Sequence, residues 1–125
     1  MTPNDRKYTK EHEWVKINGS IAEIGITDHA QQALGDIVFV ELPNIDDTVS
    51  AGDSAAVVES VKAVSNIYTA AEGRIVEVNE SLDERPELLN ENPYENFIFK
   101  VEFTKVDENA LISAEEYDAF VESEA

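Results

Sequence analysis

The stretch that decides the fold is residues 54–70, SAAVVESVKAVSNIYTA, in which two short β-rich runs flank a single lysine, Lys62. Valine, isoleucine and tyrosine favour extended backbone, and each run has the length of an ordinary strand. Gly52 and Gly73 flank Lys62 almost symmetrically, ten residues before it and eleven after it. We therefore predict a hairpin over about residues 54–69, with Lys62 near the tip of a protruding turn.

Similar short runs continue on both sides of this hairpin. Residues 13–26, EWVKINGSIAEIGI, alternate around Asn18-Gly19, the pair that best supports a type I′ turn, and they predict an opening β-hairpin. Further β-rich runs lie at residues 36–42, 48–50, 74–79 and 97–103. Strands this short and this closely spaced predict a sandwich or a flattened barrel rather than a parallel α/β sheet.

Two short helices are predicted between these strands. Residues 27–35, TDHAQQALG, offer Thr27 or Asp28 as the N-cap and a glycine at the C-terminal end. The proline of PELLN suits a first helical turn, so we predict a second helix over residues 86–90.

A third helix is predicted at the C-terminal end. Ser113 and Glu116 have the S-x-x-E spacing of a capping box, which places a helix from Ala114 to about Glu122. Its buried stripe would consist of Tyr117, Phe120 and Val121. The predicted fold class is therefore mainly β with a few short peripheral helices, and the length fits one domain over residues 1–125.

Lys62 is isolated in a strongly acidic part of the chain. It is the only lysine between Lys16 and Lys100, an interval with sixteen acidic residues. A lysine at a strand end often serves only to prevent edge-to-edge aggregation, and no residue of Ser60–Ala63 is a favoured turn former. The alternative is an exposed amine that an enzyme acylates, since an acyl group on a long flexible stem can visit several catalytic sites.

The composition excludes several classes of function. A net charge of −18 argues against nucleic acid and anionic membrane as partners, because both would be repelled. The chain has no cysteine, so any redox sulfur must come from a prosthetic group. No apolar segment suggests a signal peptide or a membrane helix, and we expect a cytoplasmic protein that is monomeric because of its charge.

Five blocks of the sequence resemble, in order, the signature blocks of the glycine cleavage system H proteins. The blocks are YTKEHEWV (8–15), IGITDHAQ (24–31), LGDIVFVELP (34–43), VVESVKAVS (57–65) and GRIVEVNESL (73–82). The resemblance extends over nearly the whole chain, and five blocks in register make coincidence very improbable.

The resemblance implies a barrel-sandwich hybrid fold of the lipoyl carrier type, with lipoate in amide linkage on Lys62. In that family the lipoyl arm accepts the aminomethyl group of glycine from the P protein and delivers it to the T protein. The L protein, a dihydrolipoamide dehydrogenase, then reoxidises the arm. The carrier itself is not an enzyme and has no catalytic residue, because the cofactor supplies the chemistry.

The resemblance also assigns five further positions. Glu59 and Gly73 match positions that lipoate-attaching enzymes read, and Glu13 matches a residue that contacts the charged aminomethyl group when the loaded arm docks in a cleft. Ser65 and Asn66 match a Ser-Asp pair near the docked arm, so one negative charge of the family pattern is missing here. Without the resemblance, each of these residues is equally an ordinary strand or turn residue.

Other readings explain the sequence less well. A biotinyl carrier would flank its lysine with methionines, whereas Val61 and Ala63 flank Lys62. No nucleophile–base pair and no metal-ligand spacing is present. His12 and His29 are isolated imidazoles without cysteine partners, which more often cap, pack or lie in solvent, so we expect no metal site. The strongest alternative is an H-like carrier that passes lipoate on to other lipoate-dependent enzymes, or that serves another lipoate-dependent pathway, because it needs the same lysine and the same fold.

Overall fold

The computed structural model describes residues 2–124, and over that range the chain forms two antiparallel sheets with short helices around them. The strands are β1 (Lys7–Tyr8), β2 (Glu13–Asn18), β3 (Ile21–Ile26), β4 (Ile37–Glu41), β5 (Thr48–Val49), β6 (Ser54–Ser60), β7 (Val64–Tyr68), β8 (Ala71–Val78) and β9 (Phe99–Val106). The helices are α1 (Asp28–Leu34), α2 (Ser81–Glu84), α3 (Leu88–Glu91) and α4 (Ala114–Glu124), with a 3-10 turn at Glu108–Ala110. The predicted mainly β class is confirmed.

The larger sheet has six strands in the order β1-β2-β3-β9-β8-β5. Its opening hairpin pairs Glu13 with Ile26 and ends with Asn18 opposite Ile21, so the loop is Gly19-Ser20. The hairpin was predicted correctly, but the type I′ turn centred on Asn18-Gly19 is wrong. Of the two loop residues only Gly19 has a positive φ, at 64°, which is the sign pattern of a type II′ turn with glycine in its first central position.

The smaller sheet has three strands in the order β4-β6-β7 and contains the predicted hairpin of residues 54–69. β6 and β7 pair from Ser54 opposite Tyr68 to Glu59 opposite Val64, with one irregularity near the Ser54 end. The residues between them, 61–63, form the turn that carries Lys62.

The helices agree with the sequence predictions to different degrees. α1 begins as predicted, because the hydroxyl of Thr27 accepts a hydrogen bond of 3.2 Å from the Ala30 N–H. The predicted helix over residues 86–90 begins later, at Leu88, and α2 was not predicted. These two helices have four residues each, and each buries one leucine, Leu82 in α2 and Leu89 in α3. Helices this short depend on tertiary burial rather than on propensity.

The C-terminal helix α4 has the predicted capping box. The Ser113 N–H donates to the Glu116 carboxylate at 2.9 Å, and the Glu116 N–H donates to the Ser113 hydroxyl at 3.1 Å. Tyr117 is fully buried against Tyr8 and Trp14. The helix thereby covers a second, aromatic cluster, whereas the main core lies between the two sheets and is lined by aliphatic side chains of both.

No helix within residues 2–124 is long and apolar enough to cross a membrane.

Candidate functional site

Lys62 lies in a tight turn that Ser60 holds closed. The Ser60 N–H donates to the carbonyl of Ala63 at 2.8 Å, and the Ser60 hydroxyl accepts hydrogen bonds from the N–H groups of Lys62 at 3.3 Å and Ala63 at 3.0 Å. Sequence reasoning missed this contribution of Ser60. Serine is known to close turns through its hydroxyl, so the signal was present in the residue type.

The turn is fastened to the segment that follows α1. The Val61 N–H donates to the carbonyl of Asp36 at 3.0 Å. Gly35 lies against the Lys62 side chain, since a Cβ on Gly35 would stand 3.5 Å from the Lys62 Cε. Lys62 is exposed, and within residues 2–124 no carboxylate forms an ion pair with its amine. The amine is therefore available to an approaching reagent.

Apolar side chains surround the lysine on the outside of the smaller sheet. Val61 and Val64 are 69% and 66% exposed, and Phe39 is about half exposed. Glu59 pairs with Phe39 on one side and with Val64 on the other. Residues directly opposite one another share a face of the sheet, so Glu59 lies on this outer face, three residues from Lys62 in sequence.

Gly73 lies elsewhere, in the larger sheet. It pairs with Val49 and Phe103, whereas Lys62 belongs to the smaller sheet. A Cβ at Gly73 would stand 2.1 Å from the carbonyl oxygen of Glu102, so only glycine allows β8 to approach β9 this closely. The close approach of these two neighbouring strands alone is sufficient to explain this glycine.

Glu13, the first residue of β2 in the larger sheet, has a buried carboxylate that reaches the end of β7 in the smaller sheet. It is 2% exposed, and it accepts hydrogen bonds from the Tyr68 N–H at 2.6 Å and from the Thr9 hydroxyl at 2.9 Å. Burial raises the pKa of the Glu13 carboxyl to about 7, against the opposing effect of these two hydrogen bonds. Glu13 lines a surface cavity of about 290 Å³ together with Gly52 and Thr69.

β7 connects the lysine turn with this cavity. It begins at Val64, directly after the turn, and ends at Tyr68, whose N–H reaches Glu13. Asn66 is exposed and accepts a hydrogen bond of 3.1 Å from the Ser54 hydroxyl. Ser65 points to the opposite face of β7, because successive side chains of a strand alternate. The cavity lining includes Tyr68 but neither Ser65 nor Asn66 among the residues described.

The structure brings His12 and His29 together, although they are seventeen positions apart in sequence. Their ring centroids are 4.5 Å apart, and the Glu124 carboxylate of α4 lies 3.3 Å from the His12 Nε2. Burial and the neighbouring His29 lower the pKa of His12. Their sequence positions gave no sign of this proximity, because it depends on how α1 and α4 pack.

The chain matches a family model along almost its whole described length. The model is described as glycine cleavage H-protein, and it matches residues 6–124. The chain belongs to this family.

Related proteins agree with the family assignment. The chain is 52% identical to the glycine cleavage system H protein of Carboxydothermus hydrogenoformans, with 99% of this chain and 97% of that protein covered. It is 56% identical to the glycine cleavage system H protein of Alkaliphilus oremlandii, with 94% of each covered.

A solved structure of the family has the same fold. The crystal structure of a glycine cleavage system H protein from Mycobacterium marinum superposes with a TM-score of 0.86 at 43% identity, covering 94% of this chain and 96% of that one. The fold is therefore the barrel-sandwich hybrid of the H-protein family, and the predicted family resemblance is confirmed. The matched range includes Lys62, Glu59, Glu13 and Gly73, and it also includes His12, His29 and Glu124.

Proposed function

We propose that this chain is the lipoyl carrier of the glycine cleavage system, which shuttles the aminomethyl group of glycine from the P protein to the T protein. Lys62 carries the lipoate in amide linkage, and the L protein restores the oxidised arm. The observation that supports this most strongly is the exposed amine of Lys62, which forms no ion pair within residues 2–124, on a hydrogen-bonded turn in a chain of the H-protein family. The family match favours this function over a lipoate relay.

The residues around Lys62 fit an attached lipoyl group. The amine must reach into the active site of a lipoate-attaching enzyme, which requires a protruding and well-defined turn. The hydrogen bonds of Ser60 fix the conformation of the turn, and the hydrogen bond to the Asp36 carbonyl attaches the turn to the rest of the protein. When bound, the dithiolane ring of lipoate supplies the sulfur that carries the aminomethyl group and the redox change.

Glu59 is proposed to be a residue that the lipoate-attaching enzyme recognises. It is a half-buried acid on the outer face of the smaller sheet, between the exposed side chains of Phe39 and Val64. A carboxylate framed by apolar side chains gives an enzyme both a charge to pair with and an apolar surface to bury. Gly73 is proposed to contribute indirectly, because it keeps β8 and β9 close together.

Glu13 is proposed to receive the loaded end of the arm. The aminomethyl group bears a primary ammonium, and a partly buried carboxylate is a strong partner for such a cation. With a pKa of about 7 the carboxyl is partly protonated near neutral pH, and an incoming ammonium would favour its ionised form. We also propose that the arm passes Ser65 and Asn66 on β7. Asn66 offers a hydrogen-bonding side chain at the position where the family pattern has a negative charge.

The acidic surface is proposed to select partners. A net charge of −18 repels other copies of this chain and attracts basic surfaces, so we expect a monomer whose enzyme partners present basic docking faces.

Lys62→Arg tests the carrier function directly. The variant keeps the positive charge but has no amine that the lipoyl enzymes acylate. We expect it to fold normally, to gain no lipoyl mass with a lipoate-attaching enzyme, and to support no glycine cleavage with the P, T and L proteins. Intact mass and peptide mapping measure the first result, and release of CO₂ from glycine measures the second.

Lys105→Arg is the matched control, because Lys105 is also exposed but lies on β9. It should gain the lipoyl mass at Lys62 and support glycine cleavage like the unaltered protein. Glycine cleavage by Lys62→Arg, or a lipoyl group mapped to another lysine, would refute the proposal.

A further inference from the structure

We propose that His12, His29 and Glu124 form a binding site for a divalent transition-metal ion of the Zn²⁺ class. One ligand atom from each of these residues can be chosen so that all three lie within 4.8 Å of one another. Two imidazoles and one carboxylate are a donor set that Zn²⁺ commonly binds, with water in the fourth position. The site shares no ligand with the residues proposed for the carrier function.

A tight turn fixes His12 in this position. The His12 N–H donates to the carbonyl of Thr9 at 3.1 Å, and the Thr27 N–H donates to the carbonyl of His12 at 3.1 Å. His12 has a φ of 68°, in the left-handed region that residues other than glycine rarely adopt. The backbone therefore fixes the point from which the His12 side chain extends.

The remaining nitrogen of His12 has the hydrogen bond that a metal-binding histidine needs. Its Nδ1 lies 2.8 Å from the Tyr117 hydroxyl, which lies 2.7 Å from the Thr27 hydroxyl. The Tyr117 hydroxyl can accept from Nδ1–H and donate to Thr27, which leaves the Nε2 lone pair directed at the Glu124 carboxylate, 3.3 Å away. Such an outer hydrogen bond fixes the tautomer and orients the ring toward the ion.

His29 supplies the second nitrogen from the first turn of α1. The neighbouring carboxylate, Asp28, is already engaged, because it accepts hydrogen bonds from the amide groups of Gln31 and Gln32. Among the described residues, this leaves Glu124 as the carboxylate grouped with the two histidines.

The geometry requires only a small adjustment. Zn²⁺ lies about 2.0–2.2 Å from nitrogen and oxygen ligands, so the three donor atoms would have to draw together slightly. Glu124 is exposed at the last turn of α4 and is free to move toward the two rings. A bound ion would then link α4 and α1 to the turn that precedes β2.

The test uses full-length protein prepared without a polyhistidine tag, with Zn²⁺ as the probe. Isothermal titration calorimetry should show one ion per chain, and saturating Zn²⁺ should raise the Tm by about 5 °C. His29→Gln and Glu124→Gln should each weaken binding by about tenfold or more. His12→Asn should do the same, and asparagine tolerates the left-handed backbone of this position.

Glu122→Gln is the matched control, because it removes the same charge from an exposed position of α4 outside the cluster. It should bind Zn²⁺ like the unaltered protein. Histidine ring resonances in NMR spectra should shift for His12 and His29 on addition of Zn²⁺. Zn²⁺ affinity that is unchanged in His29→Gln and Glu124→Gln would overturn the proposal, since the ion would then be held by the acidic surface in general. Absence of binding would overturn it as well.

Discussion

Among single side chains, Glu13 combines burial with an unusually high pKa. An ordinary glutamate has a pKa of 4.5, and the folded protein raises the pKa of Glu13 to about 7. Between these two values the folded state binds more protons than the unfolded state, so stability falls as the pH rises. The folded protein therefore carries a carboxyl group whose ionisation destabilises it, unless a cation docks against it.

Glu13→Gln should remove this pH dependence. As the pH rises from below 4.5 to above 7, the free energy of unfolding of the unaltered protein should fall by up to about 3 kcal/mol relative to that of the variant. Urea unfolding at several pH values measures the difference. Glu41→Gln, at an exposed position of β4, is the control for the change in net charge. Parallel stability curves for Glu13→Gln and the unaltered protein would contradict this account of Glu13.

Of the secondary-structure elements, the β6–β7 hairpin matters most for the proposed function. Its turn depends on one hydroxyl, because Ser60 accepts from two N–H groups that would otherwise have only water as a partner. The strands hold the position of the turn, and Ser60 holds its shape. We therefore expect a loss of this hydroxyl to affect modification of Lys62 more than it affects the fold.

Ser60→Ala should lower the free energy of unfolding by about 1 kcal/mol. It should also slow attachment of lipoate to Lys62, because the amine is presented less uniformly. A time course of intact mass with a lipoate-attaching enzyme checks this. Ser54→Ala, at the other end of β6, is the control and should be modified at the normal rate. Equal rates for both variants would show that Ser60 does not position the lysine.

The elements also show which features a sequence can reveal. The N-cap Thr27 and the capping box of Ser113 and Glu116 were predicted because each needs only residues three positions apart. α2 was missed and α3 was misplaced, because burial of Leu82 and Leu89 in the core determines these short helices. Local hydrogen bonds can be read from the sequence, whereas burial depends on the remainder of the fold.

For the molecule as a whole, the candidate sites also differ in whether local sequence or the complete fold determines them. Lys62 could be identified from the sequence because it is isolated among acidic residues. The proximity of His12 and His29 could not, because it arises only when α1 and the turn before β2 pack together under α4. The close approach of β8 to Glu102, which requires glycine at position 73, could not be predicted either, because it also arises only in the folded protein.

The net charge of −18 should make stability depend on salt. Like charges repel one another in the compact state, and salt shortens the distance over which they interact from about 30 Å at 0.01 M to about 10 Å at 0.1 M. We expect the urea midpoint to rise when NaCl is added over this range. Choline chloride should raise it equally if screening is the cause. A midpoint that does not respond to either salt would mean that the charges are too well dispersed to destabilise the fold.

The hydrogen bond from Tyr68 to Glu13 has one more consequence, for chain-to-chain association. β7 is the border strand of the smaller sheet, and such borders expose unpaired N–H groups that invite a strand from another molecule. The Glu13 carboxylate accepts a hydrogen bond from one of these groups, the Tyr68 N–H. The side chain proposed to receive the arm thus also blocks strand addition at the Tyr68 end of β7, opposite the end that carries the exposed Val64.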